Sequence, residues 1–336
     1  MKTSQAGVRR WLHRLVWTAA SAVCLAILIA GAGATYQFLS ARRDRRANPP
    51  PGKMIDAGGF RLHLYCAGQG SPTVVLDSGL SDTWLQWNKV QPRVAQFTGV
   101  CSYDRAGLGW SDPSPRPRTS RAIAEELHTL LEKAGVPAPF VLVGHSMGGL
   151  NVRVYASLYS SDVAGMVLVD SSHPEQNRRL PNVGNPWLAR MLWQERLMPF
   201  GIPRLLGWCG QGMEEAQPAF RSYDCTVKQK KGWLAETDSS DESREQAGAA
   251  GSLGDRPLIV LSHDPQAHQT GFGQRDLEQR KSAEAAWEQL QEDLARLSSR
   301  GTRRIASGSG HQVHRERPDL VVEAIRDVVA ECRTAH

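Results

Sequence analysis

The chain has 336 residues, 41% of them hydrophobic and 22% charged, with a net charge of +6 and an isoelectric point near 9.1. This composition excludes a disordered or collagen-like chain, and six cysteines in such a length do not make a disulfide-built miniprotein. The basicity is local. Residues 1–46 hold eight Lys or Arg against Asp44 alone, leaving 32 basic and 33 acidic residues in the other 290, so the body has no basic footprint for nucleic acid.

From Leu15 to Ala41 the only ionisable side chains are Cys24 and Tyr36. A helix of about 20 apolar residues crosses a bilayer, so residues 1–46 are predicted to be a single-pass membrane anchor with basic flanks. Trp11, Trp17 and Tyr36 stand near the ends of the run, where interfacial aromatics gather. A cleavable signal peptide ending at Ala32-Gly33-Ala34 is the alternative. Four basic residues on each side leave the orientation open by charge. Residues 47–52, with Pro49-Pro50-Pro51, form a short stiff linker.

Beyond it, short β-rich runs alternate with helical ones, the pattern of an α/β sheet. Strands are predicted at 61–68 (with a hairpin partner before it), 72–79, 99–107, just before Gly144, 165–171, 257–263 and 303–307. Helices are predicted at 120–134, with Ser120 as cap and Ile123, Leu127, Leu130 and Leu131 on one face, at 281–299, and at 318–331. Residues 53–171 and 256–331 would make the core. Residues 172–255 show no clear strand and are predicted to be a helical cap inserted into it.

Gly144-His145-Ser146-Met147-Gly148 fits G-x-S-x-G, preceded by the apolar strand VLV and followed by a helical run. A sharp strand-to-helix turn exposes a serine hydroxyl and aims helix N–H groups at charge developing there, so Ser146 is the candidate nucleophile. A serine needs a histidine base and a carboxylate to orient it. His311 lies in the Ser307–Gly310 loop and is the candidate base; His314 is its neighbour, with a surface or helix-start contact expected. Asp170, closing the strand MVLVD, is the candidate acid, and Asp264 in LSHDPQ is the alternative. Asp104 is expected to tie the turn after its strand, and His145 to bond locally. His263 with His268, and His311 with His314, have spacings seen in metal sites but no acidic or thiolate partner set, so no metal is predicted. GLGWSDP lacks the following helix that a phosphate loop needs.

LHLYCAGQGSPTVVLDSG, CSYDRAGLGWSDPSP, VLVGHSMGGL, MVLVDSSHPEQ and SGSGHQVHRERPDLV occur in that order across residues 53–331. In these motifs the chain resembles the α/β-hydrolase fold superfamily, in particular its exported bacterial esterase- and lipase-like members. The resemblance implies an eight-stranded, mostly parallel sheet, a Ser–acid–His order along the chain and no cofactor. It also implies an oxyanion hole from the N–H groups of Met147 and Leu80, though Ser78-Gly79 stands where many members have His-Gly. Its topology makes the strands of Cys66 and Cys101 neighbours, as a disulfide or as two buried thiols; Cys209 and Cys225 are a second possible pair. Trp187, Met191, Trp193 and Leu197 in the cap would offer an apolar acyl pocket. The expected activity is cleavage of small apolar or acyl carboxylic esters by a serine hydrolase, anchored in the membrane with its body extracytoplasmic. Amidase, thioesterase, acyltransferase and C–C hydrolase chemistry share the fold, and a ligand-binding sensor retaining the same residues is the alternative of another class. Dehalogenase and epoxide hydrolase members carry Asp as nucleophile, where this chain has Ser146.

Overall fold

The computed structural model describes residues 3–180, 186–211, 213, 217–267 and 277–334. The chain forms two compact units, residues 1–49 with 186–227, and residues 50–185 with 228–336. The expected insertion 172–255 is therefore shared between them rather than being one body.

The larger unit is built on an eight-stranded sheet. In chain order its strands are β1 (Lys53–Asp56), β2 (Arg61–Ala67), β3 (Thr73–Asp77), β4 (Val100–Tyr103), β5 (Phe140–His145), β6 (Val163–Val169), β7 (Leu258–His263) and β8 (Gly301–Ala306). They lie in the order β1-β2-β4-β3-β5-β6-β7-β8, with β1, β2 and β4 antiparallel in succession and the rest parallel. Every residue of β3, β5 and β7 is buried, as parallel strands covered on both faces require. Their side chains split with period two. Val75, Leu142, Leu168 and Val260 enter a core beneath helices Ser120–Lys133 and Met147–Leu158, whereas Val74, Val143, Val167 and Leu261 face helix Pro318–Thr334.

Three local readings change. Helix Ser120–Lys133 is capped by Thr119, whose hydroxyl accepts from Ala122 N–H, because the Ser120 hydroxyl is engaged in donating to Asn151 Oδ1 at 2.7 Å. The strand expected at 99–107 ends at Tyr103; the next residue, Asp104, still donates its N–H to His63 O at 3.1 Å, and its carboxylate receives the N–H groups of Trp84 and Trp110, each at 2.9 Å. The long helix runs Leu277–Ala295, a few residues earlier than expected. Cys66 and Cys101, opposite one another on β2 and β4, form a disulfide.

The smaller unit contains the helix Thr3–Ala47, long and apolar enough over Gly7–Ala47 to cross a membrane, together with helix Pro186–Leu197 and shorter helices closed by a Cys209–Cys225 disulfide.

Candidate active site

Ser146 occupies the one-residue turn between β5 and helix Met147–Leu158, with φ 51° and ψ −120°. A positive φ is costly for a residue with a Cβ. The surroundings enforce it: Ser146 N–H donates to Val169 O at 3.2 Å, and its own carbonyl receives the N–H groups of Gly149 and Ser172. The turn also needs room. A Cβ on Gly148 would lie 2.5 Å from Asp77 O and 2.7 Å from Ser78 O, so only glycine lets the segment after β3 cross this close to the serine.

His311 and Asp170 arrive from other parts of the chain. The Ser146 hydroxyl donates to His311 Nε2 at 3.1 Å, and His311 Nδ1–H donates to Asp170 Oδ2 at 2.6 Å. A carboxylate can only accept, so the Asp170 contact puts the ring proton on Nδ1 and leaves Nε2 free to take one. Asp170 is fully buried at the end of β6 and is held by more than His311. Its Oδ1 receives the N–H of His263 at 3.1 Å, Nδ1–H of His263 at 2.9 Å and Nε1–H of Trp287 at 2.9 Å. Burial alone would raise the Asp170 pKa; the hydrogen bonds from His263 and His311 outweigh it and hold the carboxyl far below the usual range. His263 donates its other ring nitrogen to Glu284 at 2.8 Å. Burial opposes charge on that ring, yet its two carboxylate partners raise its pKa to about 10, so it is an imidazolium at neutral pH.

Asp264 is tied elsewhere. Its carboxylate accepts the N–H groups of Gly308 and Gln266, and its own N–H donates to Ser309 O at 2.8 Å, which clips the loop carrying His311. The His145 ring donates from Nε2 to His311 O at 3.0 Å; burial first, and the nearby His311 second, lower its pKa to about 3. His314, for which a surface or helix-start contact is expected, stands at the start of the short helix Val313–Glu316 but is fully buried, with its ring centre 4.2 Å from that of His145 and 5.0 Å from that of Trp87.

The segment after β3 is held by a buried ion cluster. Arg105 donates to Glu236 Oε1 at 2.6 Å and Oε2 at 3.0 Å, to Asp77 Oδ1 at 2.7 Å, and to the carbonyls of Ser78 at 2.7 Å and Gly79 at 2.6 Å. Glu236 Oε2 also receives Ser81 N–H at 2.9 Å. In a trans peptide the N–H points opposite to the C=O. With Gly79 O drawn to Arg105, the Leu80 N–H faces away from the guanidinium. Asp82, in the same segment, has its pKa raised to about 6 by burial, against the opposing pull of Arg105 and His311.

Ser146, His311 and Asp170 are thus brought into one hydrogen-bonded row; Met147 begins the helix beside Ser146. His263, Glu284, Trp287, Arg105 and Glu236 are additions that sequence reading missed. Only His263 and Arg105 had a cue, one adjoining Asp264 and the other sitting in YDRAG. Met191, Trp193 and Leu197 lie on helix Pro186–Leu197 of the smaller unit, with Trp193 60% exposed. Trp187 is on the same helix with its side chain outside the described residues, as is the whole of His268.

Residues 72–259 match the family model of the α/β-hydrolase fold. Among curated proteins the chain is similar to the probable transporter efuK of Hormonema carpetanum, 26% identical over a match that covers 83% of this chain but only 42% of that protein's length. It is also 26% identical to the uncharacterized protein YqjL of Bacillus subtilis, covering 84% of this chain and 92% of that one. Solved structures of like fold include epoxide hydrolases, lipases and esterases. One of them is a thermophilic esterase from Thermogutta terrifontis, with a TM-score of 0.60, 21% identity, and coverage of 84% of this chain and 99% of that one. With its eight-stranded sheet and a family match over more than half its length, the chain belongs to the α/β-hydrolase fold family.

Proposed function

We propose that the protein is a membrane-tethered serine hydrolase that cleaves carboxylic esters of small apolar or acyl substrates. The observation that carries this reading is the continuous row from the Ser146 hydroxyl through His311 to the buried carboxylate of Asp170. Ser146 Oγ attacks the ester carbonyl while His311 Nε2 takes its proton, and Asp170 stabilises the resulting imidazolium. The tetrahedral oxyanion is received by the N–H groups of Met147 and Leu80. Collapse expels the alcohol, which takes the proton from His311, and leaves an acyl-enzyme on Ser146. Water, deprotonated by the same histidine, attacks that ester, and the carboxylic acid departs as Ser146 regains its proton.

The helix Thr3–Ala47 serves as the anchor in this reading, and the two disulfides support an oxidising, extracytoplasmic setting for the body. A fluorophosphonate probe is expected to label the intact protein and not the Ser146→Ala variant, and a panel of short- to long-chain esters is expected to be turned over. No labelling and no turnover by folded protein would refute the assignment and favour a ligand-binding module.

A further inference from the structure

In the smaller unit the apolar helix is bound to the segment that follows helix Pro186–Leu197. Gly33 allows the contact: a Cβ there would lie 2.4 Å from Phe200 O. A few residues on, buried Gln37 donates to Cys225 O at 2.8 Å, and Arg204 reaches Gln37 Oε1 at 3.3 Å and the carboxylate of Asp44. These polar contacts fix the segment to one end of the helix. From there it extends alongside the apolar stretch, where Phe200, Ile202 and Leu205 border an open apolar groove with Ile29, Gly33 and Tyr36. Its outer side is unusually apolar, with Leu205 65%, Leu206 56%, Trp208 40% and Phe200 40% exposed. Four large apolar side chains exposed within nine residues, two of them bordering an apolar groove, mark a binding face.

Helix length shows what covers it. The uncharged run Leu15–Ala41 is about 40 Å long at 1.5 Å per residue, against about 30 Å of bilayer hydrocarbon. Whether the hydrocarbon begins at Leu15 or ends at Ala41, residues 26–33 fall inside it, and every helix residue lining the groove with Phe200 and Leu205 is among them except Tyr36. A face beside them meets acyl chains rather than water.

Resting on the anchor reading above, we propose that the segment Met198–Trp208 is a second membrane-seated element, its Phe200, Leu205, Leu206 and Trp208 inserted among the lipid acyl chains of the leaflet beside the helix. The partner is the bilayer itself. Burial of these side chains in acyl chains removes their exposed apolar area from water, and Trp208 has the amphipathic character suited to the headgroup boundary.

The test uses the full chain in phosphatidylcholine–phosphatidylglycerol vesicles with an environment-sensitive fluorophore on one thiol at a time. The sites, all in a chain whose buried free Cys332 is replaced by Ser, are native Cys24, which is free and exposed on the helix, and Leu205→Cys or Arg121→Cys with Cys24→Ser added. Brominated acyl chains should quench the labels at 24 and 205 severalfold more than the label at 121, and aqueous iodide should do the reverse. If 24 is lipid-quenched while 205 behaves like 121, the proposal is overturned and the anchor stands. If 24 is itself open to iodide, the anchor reading fails and this one with it. A label at 205 shielded from both quenchers would mean that protein, such as a second copy of the chain, covers the face, which also overturns the proposal.

Discussion

Arg105→Lys separates charge from geometry at the segment that carries Leu80. The guanidinium is 2% exposed and makes five hydrogen bonds, three to the carboxylates of Asp77 and Glu236 and two to the carbonyls of Ser78 and Gly79. An ammonium keeps the positive charge between the two carboxylates but has three donors, so it can serve those carboxylates only by releasing the carbonyls. Two neutral-acceptor bonds to a charged donor are then lost, at ~1.5–3 kcal/mol each as an upper range. The Gly79–Leu80 peptide becomes free to turn. Losing one oxyanion donor costs ~3 kcal/mol in the transition state, or about 100-fold in turnover. The assay is kcat and KM on a short-chain aryl ester, with thermal unfolding and fluorophosphonate titration of Ser146 to count intact sites. The expected result is kcat down about 100-fold with KM little changed. Arg118→Lys is the control, because Arg118 makes a similarly buried bidentate pair with Glu126. It should lower stability and leave kcat alone. A folded Arg105→Lys protein whose kcat equals that of the control would refute the positioning argument.

Asp170→Asn should reduce turnover by on the order of 10⁴, the scale of a histidine held in the wrong tautomer, because an amide nitrogen cannot accept from His311 Nδ1–H. Asp264→Asn should cost only severalfold, since its remaining oxygen can still receive Gly308 N–H; equal losses in folded proteins would show that the acid is wrongly assigned. Stability should fall on the acid side through His145 and His314, whose pKa values burial depresses, to about 3 for His145 and well below normal for His314. With folded values below the unfolded ~6.5, their contribution is complete above that pH and declines as pH falls, each by up to ~1.4 kcal/mol per unit. Denaturant melts of His314→Phe between pH 6.5 and 4.5 should show a shallower slope than the parent, and an unchanged slope would contradict this. His263 has the opposite sign: its pKa is raised to about 10, so its contribution is complete below pH ~6.5 and is lost as pH rises through 10. A melting temperature of His263→Gln that changes between pH 7 and 10.5 as steeply as the parent's would count against that role.

Sequence alone determined whatever depends on neighbours along the chain. Ser146 was legible because strand, turn, glycines and helix lie within a dozen residues, and the same periodicities marked the strands and the apolar N-terminal helix. His311 was readable from its glycine loop. Which carboxylate meets that histidine was not, since Asp170 and Asp264 both close apolar strands, and only the packing of β6 beside β7 puts one on the ring and the other under its loop. The pairing of the supporting groups was invisible for the same reason. Arg105 and Glu236 are 131 residues apart, and Asp170 and Trp287 are 117 apart. The 172–255 segment read as one insertion because its helical composition is continuous, yet it divides between two units. Tertiary structure decided these matters because a buried charge is tolerable only where partners from distant segments converge on it, and convergence is a property of the fold and not of any stretch of chain.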